Sequence, residues 1–295
     1  MSTFNPLDFK GPEFLLFYII LACVSHLIFR RFINNNENNP LPSALDMTDP
    51  YAIAYLRGGK EEAARVAIFS LIDRGLLKAN RDKVKTVNFK SNDFTKRKIE
   101  KAAVEFFLNE AQPNYFFFDT KLELACAEYK ALMVRNGLTV NSDQHKFRSS
   151  AMLITLIPIL ILPLSKIYVA LLRGHTNIGI LVALTLMNLN LLFQIVSNPR
   201  TKTGSLFLSY LGQMFSELKN RVPALEPGGK TNEAALCAAV FGLSSLTYGS
   251  FSFVQTLFPD ASKANSHGNL LGDFGGSCGS GCGGCSGGCG GCGGD

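Results

Sequence analysis

The sequence predicts a mainly α-helical, multi-pass membrane protein with three transmembrane helices. It also predicts a small α+β cytosolic domain of tandem winged-helix-like units and a disordered Gly/Cys-rich tail. Three observations predict this architecture. Apolar residues gather into three long blocks; a segment with repeated helix and turn signals separates the first block from the second; and glycine and cysteine crowd the stretch after Asp260.

The first block, Phe14 to Phe29 (FLLFYIILACVSHLIF), is close to the minimum length for a span and is followed by Arg30-Arg31. Asp8, Lys10 and Glu13 precede it, which is the wrong polarity for the basic region of a signal peptide. Ile20-Leu21-Ala22-Cys23 departs from a lipoprotein signal in its second residue and in lacking that basic region. Residues 1–30 therefore read as an anchor with its N-terminus outside.

The second block, Ala151 to Leu172, contains Pro158 and Pro163, which membrane helices tolerate as kinks, and Lys166, which is placed to snorkel outward beside Tyr168. The third, Ile178 to Val196, is apolar apart from Asn188, Asn190 and Gln194. The short link 173–177 makes residues 149–197 a transmembrane hairpin. Lys146 and Arg148 precede it and Arg200 and Lys202 follow it, so both flanks are cytosolic by the positive-inside rule, in agreement with Arg30-Arg31.

Residues 31–48 form a polar linker that includes Asn34 to Pro42. In residues 49–147, Asp49-Pro50 has the form of an N-cap followed by proline at the first helical position. Ala52, Ile53, Tyr55 and Leu56 give an apolar face before Gly58-Gly59 breaks it, and a second helix, Glu61 to Asp73, places Ala64, Ala67, Ile68, Leu71 and Ile72 on one side, closed by Arg74-Gly75. Leu76 to Phe89 suggests a hairpin turning near Asn80-Arg81-Asp82. Helices over Thr95–Asn109 and Thr120–Arg135, followed by Asn136-Gly137-Leu138-Thr139-Val140, which echoes Gly75-Leu76-Leu77-Lys78-Ala79, repeat the order of helix, glycine cap and short strand. This order resembles a tandem of winged helices.

Nucleic acid is disfavoured as a partner because Glu61, Glu62, Arg65, Asp73 and Arg74 make a mixed rather than a basic face. The basic run Lys78 to Lys98 suits anionic headgroups of the lipid bilayer or a protein partner. Residues 198–259 read as a cytosolic or membrane-associated helical region. Within it, Ala234 to Phe258 is uncharged but interrupted by Ser, Thr, Gly, Tyr and Gln, and it is expected to pack rather than to span.

Catalytic motifs are missing. His26, His145, His175 and His267 are isolated, with no HExxH and no second ligand at helical spacing. Gly228-Gly229-Lys230-Thr231 mimics the end of a phosphate loop, but Ala224 stands where its first glycine belongs. Asp143 and His145 are close in sequence, but an acid–base role would need a pocket that the sequence does not indicate. These absences predict no enzyme activity, no catalytic residues and no cofactor-binding residues.

The tail, residues 260–295, offers no apolar surface to offset the entropy of ordering, so disorder is expected. Cys278, Cys282, Cys285, Cys289 and Cys292 alternate four- and three-residue steps. The two CxxC pairs are too close to build a zinc ribbon between them. A fluxional thiolate site for Zn(II) or Cu(I), covalent modification of the thiols, and a plain tether all fit this spacing.

Gly11-Pro12-Glu13-Phe14-Leu15-Leu16, Tyr51 to Gly59 (YAIAYLRGG), Leu71 to Leu77 (LIDRGLL), Thr203-Gly204 and Val240-Phe241-Gly242-Leu243 together resemble a family. It is a group of conserved hypothetical bacterial membrane proteins described as "near uncomplex" for a Gly/Cys-rich low-complexity tail. The resemblance implies a bacterial inner (cytoplasmic) membrane location and carries no catalytic residues with it. The expected function is a non-enzymatic scaffold or binding protein whose tail captures soft metal; the alternative is a membrane-bound leader or carrier whose tail is modified.

Overall fold

The computed structural model describes residues 11–37, 49–87, 95–172, 179–222, 225, 227–228, 232–246 and 251–263. In chain order the elements begin with α1 (Gly11–Asn36), α2 (Pro50–Asp73), β1 (Leu77–Asn80), β2 (Lys83–Thr86), α3 (Lys98–Phe106), α4 (Pro113–Phe116) and α5 (Thr120–Arg135). They continue with α6 (Ser142–Leu172), α7 (Gly179–Ser197), α8 (Lys202–Met214), α9 (Ser216–Arg221), α10 (Glu233–Phe241), a 3-10 turn (Leu243–Leu246), α11 (Phe253–Leu257) and α12 (Pro259–Lys263).

Helices α1, α6 and α7 are long and apolar enough to cross a membrane. They pack on one another through two small clusters. Phe29, Ile33, Ala151, Ile159, Leu192 and Val196 meet toward one end; Phe14, Tyr18 and Leu181 meet toward the other. Most of their remaining apolar surface points outward, including Leu27, Ile28, Ile154 and Leu172, as helices solvated by lipid require. Two amides share that outer face of α7, where Gln194 donates to Asn190 at 2.7 Å.

The α6 helix starts at Ser142 rather than at Ala151, so the hairpin's first helix extends beyond its apolar block. Asn141 caps it: its side chain accepts from the Ser142 N–H at 2.7 Å, and Gln144 reaches back to the Asn141 N–H at 3.0 Å. Pro158 and Pro163 lie inside α6 without breaking it. Pro163 has no N–H, so the Ile159 carbonyl loses its helical donor. The Tyr18 hydroxyl of α1 donates to that carbonyl instead, at 3.1 Å. Lys166 lies with its ammonium 5.0 Å from the centre of the Phe14 ring.

The other elements form one domain around one core. Asp49 caps α2 by accepting from the Tyr51 N–H at 3.1 Å. The two helices anticipated on either side of Gly58-Gly59 are both present within α2: the backbone leaves helical geometry at these two residues, with Gly59 at φ +74°, and the helix resumes after them. At its end Gly75 adopts φ +72°, with Leu76 N–H donating to the Leu71 carbonyl and Gly75 N–H to the Ile72 carbonyl, each at 2.9 Å. Gly137, at φ +67°, makes the same pair of bonds to Met133 and Val134. Both are Schellman caps, which need the left-handed conformation that glycine supplies.

The repeat stops there. After Gly75 the chain forms the β1–β2 hairpin, in register Leu77↔Thr86 to Asn80↔Lys83. After Gly137 it runs directly into α6, and its only pairing among the described residues is a single bridge from Thr139 to Arg200. Too few residues separate this cap from α6 to fold a hairpin like β1–β2.

Described residues within 207–258, part of the region anticipated as cytosolic or membrane-associated, share the core of residues 51–138. Cys237, Ala238, Ala239, Leu246 and Phe251 are buried in the same cluster as Ala63, Ile68 and Phe69. Phe251 meets Phe69 edge-on at 5.3 Å and Phe253 stacks on it at 5.9 Å. The described residues of the uncharged stretch 234–258 are thus an interior part of the domain, in short helices. Gly242 (φ +95°) makes the first break, and an added Cβ there would lie 2.6 Å from Arg57 Nη1.

Candidate functional site

The chemistry of the described residues concentrates where the three long helices meet the domain. Arg148 near the start of α6 is buried and donates from Nε to Glu37 Oε1 at 2.6 Å and from Nη2 to Glu37 Oε2 at 2.7 Å. This is the two-pronged geometry in which a guanidinium grips a carboxylate best. Its other donors reach the Asn198 carbonyl and, at 2.9 Å, the Arg200 carbonyl. Arg148 thus joins the end of α1, the start of α6 and the segment after α7. Thr203 adds a bond to the Glu37 carbonyl at 3.4 Å, and Thr201 ties that segment to the Gly137 carbonyl at 2.7 Å. Gly204 lets α8 lie against the Leu138 carbonyl, where a Cβ would sit 2.0 Å away.

A second cluster lies at the kink of α2. Arg57 and Arg65 both pair with Glu62, and Arg65 also reaches Glu61. Burial pulls the Arg57 guanidinium below its usual value; Glu62 opposes this, while the nearby cations Arg65 and Arg200 add to it. Burial lowers Arg200 as well.

A third lies inside the domain. Glu100 accepts from the Tyr51 hydroxyl and from Arg74, each at 2.7 Å, and from the Lys96 N–H at 3.0 Å, while Arg97 pairs with Asp49 at 3.1 Å. Burial, followed by the charge of Glu100, raises the Tyr51 hydroxyl far above its usual value. Every oxygen of Glu100 has donors, so this cluster fastens α2 to α3.

Cys278, Cys282, Cys285, Cys289 and Cys292 lie outside the described residues, as do His175, His267, Gly229, Lys230 and Thr231. Gly228 turns at φ +76° and spends its N–H on Asp73 at 2.9 Å, an arrangement that closes a turn. His145 and Asp143 are exposed at the start of α6. Among the described residues no group of three His, Cys, Asp or Glu side chains is placed to hold a metal ion. Cys126 and Cys237 are buried free thiols, and burial pushes Cys126 up to about 12. Neither is a nucleophile at neutral pH. On the hairpin, Lys78 stands opposite Lys85 and both are exposed.

The Glu37–Arg148 pair carries no local sequence signature. Arg148 reads as an ordinary basic flank and Glu37 as part of a polar linker. The one available signal is an acidic residue just beyond the first apolar block facing the basic start of the second. No family model matches the chain, and no curated protein or solved structure matches it significantly.

Proposed function

We infer that this chain is a non-enzymatic scaffold of the bacterial inner membrane, with its N-terminus outside and residues 31–147 in the cytosol. The cysteine-rich segment is held at the cytosolic face, where Cys278, Cys282, Cys285, Cys289 and Cys292 take up Cu(I) or Zn(II). The observation that carries this reading is the shared core of residues 51–138 and 207–258. With residues 234–258 inside that core, the chain leaves the domain through α12 rather than by a fourth crossing. Support for the orientation comes from Arg30, Arg31, Lys146, Arg200 and Lys202, which all belong to the end of the bundle where the domain sits.

The domain itself is suited to a protein partner. Its first half keeps the order of a winged-helix unit, yet the arginines at the α2 kink are neutralised by Glu61 and Glu62. A helix so paired has little attraction left for a phosphate backbone.

The test is intact mass of the full-length chain, with Cu(I) and Zn(II) titrations in detergent. The scaffold reading expects an unmodified mass and metal uptake that is lost when Cys282, Cys285, Cys289 and Cys292 become serine. A covalent mass increase confined to 278–292 would replace it with the carrier reading. Unmodified mass without metal uptake would refute both.

A further inference from the structure

Buried polar atoms nearly always have partners, so those that lack one call for a ligand, a water or an ion. Among the described residues three buried side-chain atoms lack a hydrogen-bond partner: His26 Nε2, Thr139 Oγ1 and Arg200 Nε. The last two are neighbours. Thr139 and Arg200 form an antiparallel bridge in which Val140 N–H donates to the Pro199 carbonyl at 2.9 Å and Thr201 N–H to the Leu138 carbonyl at 3.1 Å. These bonds flank the pair rather than join it. That is the narrow type of antiparallel pair, with α-carbons about 4.5 Å apart and both side chains on one face. A hydroxyl and a guanidinium Nε–H therefore leave the backbone side by side, out of water and unused.

Charge is unbalanced at the same place. Arg57 and Arg65 share Glu62 and Arg65 also reaches Glu61, whereas Arg200 makes no ion pair among the described residues. Arg200 lies close enough to Arg57 for the two charges to oppose each other. A half-buried cation with its Nε–H out of water and no counter-charge is costly, and an anion bridging Arg200 and Thr139 would lower that cost. The position limits which anion. Arg200 follows the last residue of α7, Ser197, by three positions, where a spanning helix emerges at the level of lipid headgroups. A guanidinium fork beside a hydroxyl suits the tetrahedral oxygens of phosphate.

We propose that Thr139 and Arg200 form a binding site for a phosphate oxyanion, the headgroup phosphodiester of an anionic phospholipid lying against α6 and α7. The site is independent of any chemistry at the tail.

The experiment uses the full chain purified in a neutral detergent. Binding of phosphatidylglycerol, phosphatidylcholine and inorganic phosphate is read by native mass spectrometry and by thermal shift. Phosphatidylglycerol binds in preference to phosphatidylcholine; Arg200→Gln and the isosteric Thr139→Val each weaken it about tenfold or more, as loss of a hydrogen bond to a charged group would. Lys202→Gln, which removes an exposed cation two positions away, leaves binding unchanged. Binding of inorganic phosphate with the same two sensitivities, but none of phosphatidylglycerol, would keep the oxyanion site and overturn the lipid as its source. Wild-type binding by both Thr139→Val and Arg200→Gln, an equal loss with Lys202→Gln, or binding of neither probe would overturn the site.

Discussion

Replacing Arg148 by methionine preserves much of the length and apolar stem of the side chain while removing every donor. Glu37 would be left as a buried carboxylate with 3% of its side chain exposed. Two carbonyls, those of Asn198 and Arg200, would lose their donor as well. Breaking one partner of a buried ion pair costs about 3–5 kcal/mol, because the surviving charge keeps its desolvation penalty and loses its partner. For a chain of this size a loss of about 4 kcal/mol lowers Tm by roughly 8–16 °C. Glu37→Gln should cost about 3 kcal/mol by the same logic, since Arg148 keeps its two carbonyls. The double variant should lose only about 2 kcal/mol, because no buried charge remains and only the carbonyls are unserved. Thermal unfolding of the four proteins in one detergent, followed by circular dichroism, measures the cycle. Single losses below about 1 kcal/mol that simply add would refute the coupling argued from this geometry.

Tyr18→Phe should cost about 1–2 kcal/mol by leaving the Ile159 carbonyl without a donor. Adding Pro163→Ala should recover part of that loss by restoring the helical N–H, and a denaturation cycle in mixed micelles reads both. Gly242→Ala must adopt φ +95° and displace Arg57, and should destabilise the domain by at least about 1 kcal/mol in the same unfolding assay. Burial raises the Cys126 thiol from 9.0 to about 12 and raises the hydroxyls of Tyr51, Tyr55 and Tyr129. The folded state therefore holds these protons longer than the unfolded state. Stability should be full below about pH 9 and fall as pH rises toward 12, and Cys126→Ala should flatten the fall in a pH series of melts.

Local chemistry was legible in particular residues. Asp49-Pro50 opens α2, Gly75 and Gly137 close their helices, and Thr120–Arg135 is α5, because caps and periodicity act over one or two turns. The three long helices were legible because their apolar blocks are continuous. The Glu37–Arg148 grip was not, since its partners stand 111 positions apart and each has an ordinary reading in its own neighbourhood. Nor was the single bridge at Thr139 in place of a second hairpin, which depended on how soon after Gly137 the next helix begins. Asn141 and Gln144 start α6 well before its apolar block and leave no chain for a hairpin. The stretch 234–258 was ambiguous by composition alone; its breaks at Gly242 and after Leu246, and its packing on α2, are tertiary facts.

The central claim is that the domain and the cysteine-rich segment lie together on the cytosolic side of a three-helix anchor. A membrane-impermeant maleimide applied to intact and then to permeabilised cells tests it most directly, with a permeant maleimide as the control for free thiols. Labelling of Cys278 to Cys292 only after permeabilisation is the predicted result. Labelling of those cysteines in intact cells would contradict it.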